Sequence, residues 1–251
     1  MRIVPKKGFI FIWLSLVVFC LGFASLAQAD PLNELEQERV KTFQKARAAA
    51  EQGSVDDQAL LGILYAQGSG VSRDDAKAVE WFRKAAENGN TQAQMNLAGM
   101  YATGKGGLSK DEAQAVEWIR KAAQQGDVNA VCAMAERYRD GRGIPQDDVQ
   151  AVALFRVVAD KNNPCGEMNL AEMYENGRGV PQDYAQAAAW YHKAADRGIT
   201  RMQYKLGEMY LLGRGVPQDN VQAIEWFRKA AAKTYQPAEE ALRKMGAAVS
   251  K

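Results

Sequence analysis

Three glutamates recur at one interval, and their spacing suggests a shared chemical task. Glu136, Glu172 and Glu208 are each 36 residues apart. If the chain stacks with that period, their carboxylates form a ladder with steps of about 10 Å. A ligand carrying Lys or Arg would relieve the weak repulsion between them. The sequence leaves open that they are a solvated helix face, neutralised from nearby loops. Each is followed after six residues by an arginine: Arg142, Arg178 and Arg214.

Catalytic chemistry has little support in the sequence. The chain has a single histidine, His192, and Arg fills the equivalent positions 36 residues before and after it. A Ser-His-Asp triad or a His-bound metal cannot be built from such a residue. The repeated Gly-x-Gly segments lack the preceding strand of a phosphate-binding loop. The sequence therefore predicts a protein that is not an enzyme, with no cofactor and no metal.

Residues 1–29 have the pattern of an export signal. Arg2, Lys6 and Lys7 precede an apolar run over 9–26, which ends at Ala-Gln-Ala before Asp30. This order of cations, apolar segment and small-x-small site is typical of a secretory signal peptide. The alternative is an uncleaved membrane anchor, because the run is nearly long enough to span a bilayer. We expect cleavage and an exported protein, periplasmic or secreted, without membrane insertion afterwards.

The remaining chain is close to neutral. The whole sequence has a net charge of +2, and residues 1–29 contribute three cations and no anions. Residues 30–251 then carry 29 Lys and Arg against 30 Asp and Glu, a net charge of −1. This balance predicts no general affinity for nucleic acid or for an anionic membrane. The 222 residues suffice for one domain or one continuous repeat array.

One segment returns along the chain about every 36 residues. Gly-Arg-Gly-Val-Pro-Gln-Asp occurs at 177–183 and 213–219, and the same segment with Ile for Val occurs at 141–147. A tyrosine marks every copy: Tyr65, Tyr101, Tyr138, Tyr174 and Tyr210. A tryptophan marks all copies except the one with Leu154: Trp81, Trp118, Trp190 and Trp226. This period is typical of a solenoid of helical hairpins, which bury their apolar faces by stacking.

The period divides the chain into caps and hairpins and predicts an all-α fold. Residues 30–52 are predicted to form an N-terminal capping helix, and residues 233–251 a C-terminal capping helix and tail. The repeats fill 53–232, as five hairpins at 53–88, 89–125, 126–161, 162–197 and 198–232.

In each hairpin, the sequence indicates which residues end the first helix and start the second. Gly-x-Gly closes the first helix, because a left-handed backbone costs glycine little. An aspartate then starts the second helix by accepting free N–H groups of its first turn. An alanine lets the two helices approach closely, and we expect the tryptophan to fill the gap beside it.

Two hairpins depart from the pattern. The loop over 104–111 has one extra residue, for which we expect a bulge. In the fourth hairpin, Asn162-Asn163-Pro164-Cys165 replaces the usual glycine and helix start. Proline is tolerated at the start of a helix, so we expect this helix to form.

The repeat resembles a known family. Its pattern is A-x-x-x-L-G-x-x-Y-x-x-G-x-G-V-x-x-D-x-x-x-A-x-x-W-x-x-K-A-A over 53–232. This pattern is similar to the Sel-one-like repeat (SLR), an αα-hairpin related to the tetratricopeptide repeat. The resemblance implies a right-handed αα-superhelical solenoid whose first helices line a concave groove. In that family the groove holds other proteins or peptides and assembles complexes, often in bacterial envelopes or as secreted factors.

Tetratricopeptide geometry, if it carries over, selects the residues that line this groove. They stand nine, six and two positions before each tyrosine, and one and two after it. The early repeats offer small or apolar side chains there, such as Ile63, Ala66 and Gly99. The candidate partner-binding residues are Glu136, Arg139, Met168, Glu172, Glu175, Arg201, Tyr204, Glu208 and Leu211. Tyr204, Leu211 and Leu212, with Met168 nearby, would form an apolar anchor site, with packing against the C-terminal cap as the alternative.

The same geometry places Cys132 and Cys165 on neighbouring first helices. In an oxidising compartment they could form a disulfide that closes a loop of 33 residues. On the chain-entropy estimate this bond contributes about 3–4 kcal/mol. Two free thiols are the alternative, because adjacent helices are often slightly too far apart for the bond.

These features favour an exported adaptor that binds a protein or peptide partner in the groove. If the acidic ladder contacts that partner, the bound segment of the partner is expected to carry basic residues. One alternative is a structural subunit of a larger envelope assembly, which would associate through its convex face or its ends. Another is a peptidoglycan- or sugar-binding module. That module would require aromatic side chains in the groove, where Tyr204 is the only one expected.

Overall fold

The structure, a computed structural model, describes residues 31–248, and within that range it contains twelve α-helices. The predicted signal peptide lies outside the described residues. The helices are α1 (Pro31–Glu51), α2 (Val55–Gln67), α3 (Asp75–Glu87), α4 (Thr91–Thr103), α5 (Glu112–Gln124), α6 (Val128–Asp140), α7 (Asp148–Asp160), α8 (Pro164–Asn176), α9 (Tyr184–Asp196), α10 (Thr200–Leu212), α11 (Asn220–Ala231) and α12 (Gln236–Lys244).

Each helix packs chiefly on its neighbours in sequence, so the chain forms a stack of antiparallel hairpins. We call the first helices of the hairpins, α2, α4, α6, α8 and α10, the A helices. We call their partners, α3, α5, α7, α9 and α11, the B helices. Helix α1 packs on α2 and α12 packs on α11, which covers both ends of the stack. The predicted all-α solenoid is confirmed. None of the helices in residues 31–248 is long and apolar enough to cross a membrane.

Side chains and glycines at the turns set the ends of the helices. An aspartate carboxylate accepts N–H bonds from the first turn of each B helix: Asp74, Asp111, Asp147, Asp183 and Asp219. Each A helix ends at a glycine with a left-handed φ of 63–69°: Gly68, Gly104, Gly141, Gly177 and Gly213. The longer loop of the second hairpin still ends with Asp111 N–H donating to the Tyr101 carbonyl at 2.9 Å, so the extra residue stays within the loop.

The second glycine of each Gly-x-Gly lets one hairpin pack on the one before it. A Cβ at Gly179 would overlap the carbonyl oxygen of Asp148, at the start of the preceding B helix. The same overlap would arise at the equivalent glycines: Gly70, Gly106, Gly143 and Gly215. This glycine therefore serves contact between repeats, in addition to its left-handed backbone.

On each B helix, the side chain at the position directly after the tryptophan is buried in the core. This position is buried in all five hairpins: Phe82, Ile119, Phe155, Tyr191 and Phe227. Trp118 and Trp226 are buried, in line with the expectation that the tryptophan fills the gap, but Trp81 and Trp190 are only partly buried and do not follow it. A lysine three residues later covers each indole, with Nζ 3.5–4.1 Å from the ring centroid, an attractive cation–π contact.

Two residues adopt a left-handed φ where the other hairpins have glycine. Asn162 has φ 56° and Thr234 has φ 58°. The glycines at this position are Gly53, Gly89, Gly126 and Gly198, with φ of 80–96°. Helix α8 begins directly afterwards, at Pro164, and the Asn163 side chain accepts a hydrogen bond from the N–H of Cys165 at 2.9 Å.

Candidate functional site

The A helices present one surface, which we call the A-helix face. All nine candidate partner-binding residues lie on α6, α8 or α10, and all are at least partly exposed. Side chains join the A helices of successive hairpins across this face. The links are Cys132–Cys165 and Arg139–Asn169 between α6 and α8, and Glu172–Arg201 and Glu175–Lys205 between α8 and α10.

Two of the three glutamates of the proposed ladder, Glu172 and Glu208, have cationic partners within the chain. Arg201 Nη2 lies 2.8 Å from Glu172 Oε1. Lys205 Nζ lies 3.6 Å from Glu208 and 3.5 Å from Glu175, so one ammonium serves two carboxylates. Because these carboxylates are paired with cations of α10, this part of the face carries alternating charges and not an open acidic strip.

The first glutamate of the ladder, Glu136, lies in a different setting. Its Oε1 is 4.0 Å from the Sγ of Cys165, and the charge of Arg139 acts on it. Arg139 also donates to Asp140 at 2.7 Å and to Asn169. The hydrogen bond to Asp140 raises the pKa of Arg139 above its usual range, with burial opposing it.

The loop arginines that were expected to neutralise the ladder bind elsewhere. Arg142 pairs with Asp140 at 2.8 Å, and Arg178 pairs with Asp148 at 2.6 Å. The Arg214 guanidinium lies 5.8 Å from the centroid of the Tyr184 ring. The counter-charges come from the A helices themselves because their side chains already point onto the same face.

Glu175 has a second partner that sequence reasoning missed. The buried Tyr191 donates its hydroxyl hydrogen to Glu175 Oε2 at 2.5 Å. Burial, followed by this hydrogen bond, raises the pKa of Tyr191. The signal was present in the repeat alignment, since this position is Phe or Ile in the other hairpins.

Tyr204 packs at the C-terminal end of the face. Its ring centroid is 5.4 Å from that of Phe227 and 5.5 Å from that of Tyr235, while its hydroxyl donates to Glu208 at 3.0 Å. Burial, with the bond to Glu208, raises the pKa of Tyr204 to about 12. The predicted anchor site is therefore in contact with the C-terminal segment.

Part of this region remains open as a pocket of about 410 Å³ between α10 and α12. Tyr204, Glu208 and Leu211 form its α10 wall, and Pro237, Ala241 and Met245 lie opposite. Met168 does not line it. It is partly buried and packs against the core cluster that contains Met202 and Leu206.

A second pocket of about 290 Å³ lies at the other end of the face, between α2 and α4. Ile63, Ala66 and Met100 supply apolar walls, and Lys105 lies at the edge. Gly99 forms part of the lining, and a Cβ added there would meet nothing within 4 Å. The small residues predicted for this part of the groove thus leave room for a side chain of a ligand.

Cys132 and Cys165 form a disulfide in the structure, with their Cα atoms 6.5 Å apart. Both sulfurs and a carboxylate oxygen of Glu136 lie within 4.8 Å of one another. Within residues 31–248, Cys132, Glu136 and Cys165 form the one group of three cysteine, histidine or acidic side chains whose ligand atoms are close enough to hold a metal ion. The sequence prediction of no metal did not weigh this group, because it needs a contact between residues of two hairpins.

A buried ion pair was also missed. Glu167 is fully buried, and Arg197 Nε donates to it at 3.1 Å. The other hairpins have glutamine at this position in three cases, Gln58, Gln94 and Gln203, each donating to a carbonyl of the preceding helix. The alignment shows the exchange of glutamine for glutamate, but its partner becomes visible only in three dimensions.

His192 is a surface residue. Its Nδ1 is 2.8 Å from Asp196 Oδ2, and its ring packs edge-on against Trp226 at 5.4 Å. Its side chain is 48 % exposed. The contacts with Asp196 and Trp226 explain the position of the His192 ring without a catalytic role.

Comparison with known proteins gives the family. A model of the Sel1 repeat matches residues 55–90, 91–127, 128–163, 166–199 and 200–235, more than half of the chain. A protective antigen present in uropathogenic Escherichia coli strains, with an SLR fold, is 31% identical and superposes with a TM-score of 0.76. The match covers 84% of this chain and 46% of the antigen, so the chain spans less than half of that protein's length.

Two further structures are similar. A Sel1 repeat protein from Oxalobacter formigenes is 29% identical, with a TM-score of 0.71 over 82% of this chain and 84% of that one. An immunity protein from Pseudomonas aeruginosa is 16% identical, with a TM-score of 0.52 over 92% of this chain and 85% of that one, which is a likeness of fold alone. From its five matched repeats and their structure, this chain belongs to the Sel1 repeat family.

Proposed function

We propose that this chain is an exported adaptor that binds a peptide segment or a protein partner on the A-helix face. The observation that carries the proposal is a surface with a pocket at each end, of about 290 and 410 Å³, and with ion pairs that cross from α8 to α10 between them. Binding sites of this kind hold anchor side chains in pockets and set register with polar groups between them.

Two observations support the remainder of the proposal. The disulfide suits an oxidising compartment outside the cytoplasm, periplasmic or extracellular. The family is one of repeats that stack into a scaffold, and one similar structure is that of a protective antigen. We therefore assign a binding role and no catalytic one.

The pocket between α2 and α4 offers a direct test. Gly99→Phe would fill it, and the fold should tolerate the change, because a side chain there meets no neighbour and glycine is the poorer helix former. We expect the variant to keep its helical circular dichroism and to lose at least about tenfold in affinity for its protein or peptide partner, which corresponds to one buried anchor.

Glu80→Phe is the matched control, because Glu80 is exposed on the neighbouring B helix. It adds the same side chain to the opposite surface and should bind as the wild type does. If Gly99→Phe binds normally while Glu80→Phe does not, the partner uses the B helices and the proposal is wrong.

A charge exchange tests whether the partner reads the ion pairs. The double variant Glu172→Arg with Arg201→Glu keeps a salt bridge between α8 and α10 but reverses its direction. A partner with a basic segment at this point should bind the exchanged protein more weakly. If the exchanged protein and the wild type bind the partner with equal affinity, this ion pair does not contact a charged group of the partner, and the affinity comes from the pockets.

One observation favours a structural subunit instead, assembled through the B helices. In the third hairpin the Trp–Lys pair is replaced by Leu154 and Val157, and Val149 on the same helix is 64% exposed. Val157→Lys would restore the charge found in the other hairpins. Loss of an assembly with this variant, while binding to the A-helix face persists, would support the second function.

A further inference from the structure

We propose that Cys132, Cys165 and Glu136 form a binding site for a thiophilic divalent cation of the Zn²⁺ type when the two cysteines are reduced. Their three ligand atoms lie within 4.8 Å of one another. Two thiolates and a carboxylate are ligands that Zn²⁺ accepts. This site depends only on side chains of α6 and α8 and is independent of the proposed partner.

The geometry needs little rearrangement. With bonds of about 2.3 Å to sulfur and about 2.1 Å to oxygen, ligand atoms around a tetrahedral zinc lie roughly 3.6–3.8 Å apart. Glu136 Oε1 is already 4.0 Å from Cys165 Sγ. Cys132 and Glu136 are four residues apart on α6, so their side chains lie on the same face of that helix. Opening the disulfide frees both sulfurs to rotate about their Cα–Cβ bonds.

The surroundings favour anionic ligands. Cys165 is the second residue of α8, where the free N–H groups of a helix N-terminus stabilise a thiolate. Asn169 Nδ2 lies 3.6 Å from Cys165 Sγ and donates toward it. A divalent cation with three anionic ligands has a net charge of −1, and Arg139, whose charge already acts on Glu136, would offset it.

The site would leave one coordination position open. Three protein ligands fill three corners of a tetrahedron, and water or an outside ligand takes the fourth. Cys132 is only 3% exposed, whereas Glu136 and Cys165 are partly exposed. The open position therefore lies on the side of the A-helix face.

Reduction controls whether the site exists. A dithiol reductant passes two electrons and two protons to the disulfide, which becomes two cysteine thiols while the reductant becomes a disulfide. The cation then binds the thiolates and displaces their protons. A disulfide oxidant reverses the change: it takes two electrons from the two thiolates, which form their sulfur–sulfur bond again, and with two protons from solvent it becomes two thiols. The cation is released because neither sulfur remains a thiolate.

Cobalt provides the test, because thiolate-bound Co²⁺ absorbs light through sulfur-to-metal charge transfer. The full-length sequence is expressed with Cys20→Ser, so that Cys132 and Cys165 are the only cysteines whether or not residues 1–29 are cleaved, and the purified protein is reduced with a phosphine in the absence of oxygen. We expect one equivalent of Co²⁺ to give this absorption and Zn²⁺ to abolish it. The oxidised protein should give none.

Glu136→Gln should weaken Co²⁺ binding at least about tenfold, because it removes a charged ligand but keeps both thiols. Glu172→Gln is the matched control, one repeat further along, and should titrate as the wild type does. Circular dichroism of each reduced sample checks that the helices persist. The proposal is overturned if the reduced protein gives no charge-transfer absorption, if the oxidised protein binds equally, or if Glu136→Gln binds like the wild type.

Discussion

Glu172 and Arg201 come from neighbouring repeats and meet at 2.8 Å on a surface where their side chains are 28% and 62% exposed. Ion pairs with such exposure contribute only about 0–1 kcal/mol to stability. Their main effect is to orient side chains, because each pair holds two long side chains over the boundary between two A helices. The same holds for Lys205, which is shared between Glu175 and Glu208.

Two residues with left-handed backbone give a prediction for stability. Asn162→Gly and Thr234→Gly should each raise the free energy of unfolding, by up to about 1 kcal/mol for Asn and about 1–2 kcal/mol for Thr, because glycine adopts this φ without strain. Urea denaturation measures both. Gly126→Ala is the reverse control, since a Cβ there meets nothing within 4 Å and only the backbone is strained. A variant with no gain, alongside a destabilised control, would contradict this account of the turn.

Asp148 and Arg178 give a prediction for pH. The hydrogen bond from Arg178 holds the pKa of Asp148 below its usual value of about 3.9. The stability that this adds is present above about pH 4, where the unfolded carboxyl has also lost its proton, and disappears as the pH falls through the folded pKa. Arg178→Gln should therefore destabilise the protein at neutral pH, with a difference from wild type that narrows in acid.

Arg214→Gln is the control for that measurement, because Arg214 lies over the ring of Tyr184. Urea denaturation at about pH 7 and about pH 3 should show a difference from wild type that changes little between the two conditions. An Arg178→Gln difference that also stays constant would mean that the arginine acts through its bond to the Arg139 carbonyl and not through Asp148.

At the scale of helices and loops, the two glycines of each Gly-x-Gly have different tasks. Gly177 needs its left-handed backbone, and a Cβ there would lie 3.1 Å from Gln182 Cβ, a close contact that a small shift of the loop relieves, so Gly177→Ala should cost about 1–2 kcal/mol. Gly179→Ala adds an overlap with the Asp148 carbonyl and should cost about 2–5 kcal/mol, because the overlap must be relieved by separating two hairpins. Equal costs in urea denaturation would show that the seam between repeats is looser than the structure has it.

The helices and turns could be predicted from sequence because their causes are local. The capping aspartates and the glycines stand within a few residues of the helix ends that they set. The contacts that shape the face were not predictable, because they join distant positions. Tyr191 and Glu175 are 16 residues apart, and Glu167 and Arg197 are 30 residues apart. Their unusual residue types were visible in the alignment of repeats, but not what they would contact.

For the whole molecule, the disulfide is the covalent link between the third and fourth hairpins. It closes a loop of 33 residues, so breaking it should lower the free energy of unfolding by about 3–4 kcal/mol. The measurement is urea denaturation of oxidised and reduced protein, with the Cys132→Ala and Cys165→Ala double variant as the control that a reductant cannot change. Equal midpoints for oxidised and reduced protein would contradict this estimate.

The solenoid itself was the most predictable feature, because the same capping, turn and core residues recur in five repeats of about 36 residues. The candidate face followed in part. Its nine residues do lie on α6, α8 and α10, yet the loop arginines that the sequence offered as counter-charges contact other groups, and the cations come from α10. Repetition predicts which positions share a surface. It does not predict the rotamers by which their side chains pair.

The most direct test of the account is where the partner touches the protein. A photoreactive amino acid placed at Gln92 or Arg201, exposed on A helices, should crosslink to the partner. The same group at Glu80 or Glu225, exposed on B helices, should not. Adducts from the first pair alone would support an adaptor that binds on its A-helix face. Adducts from Glu80 and Glu225 alone would contradict it and place the contact on the B helices.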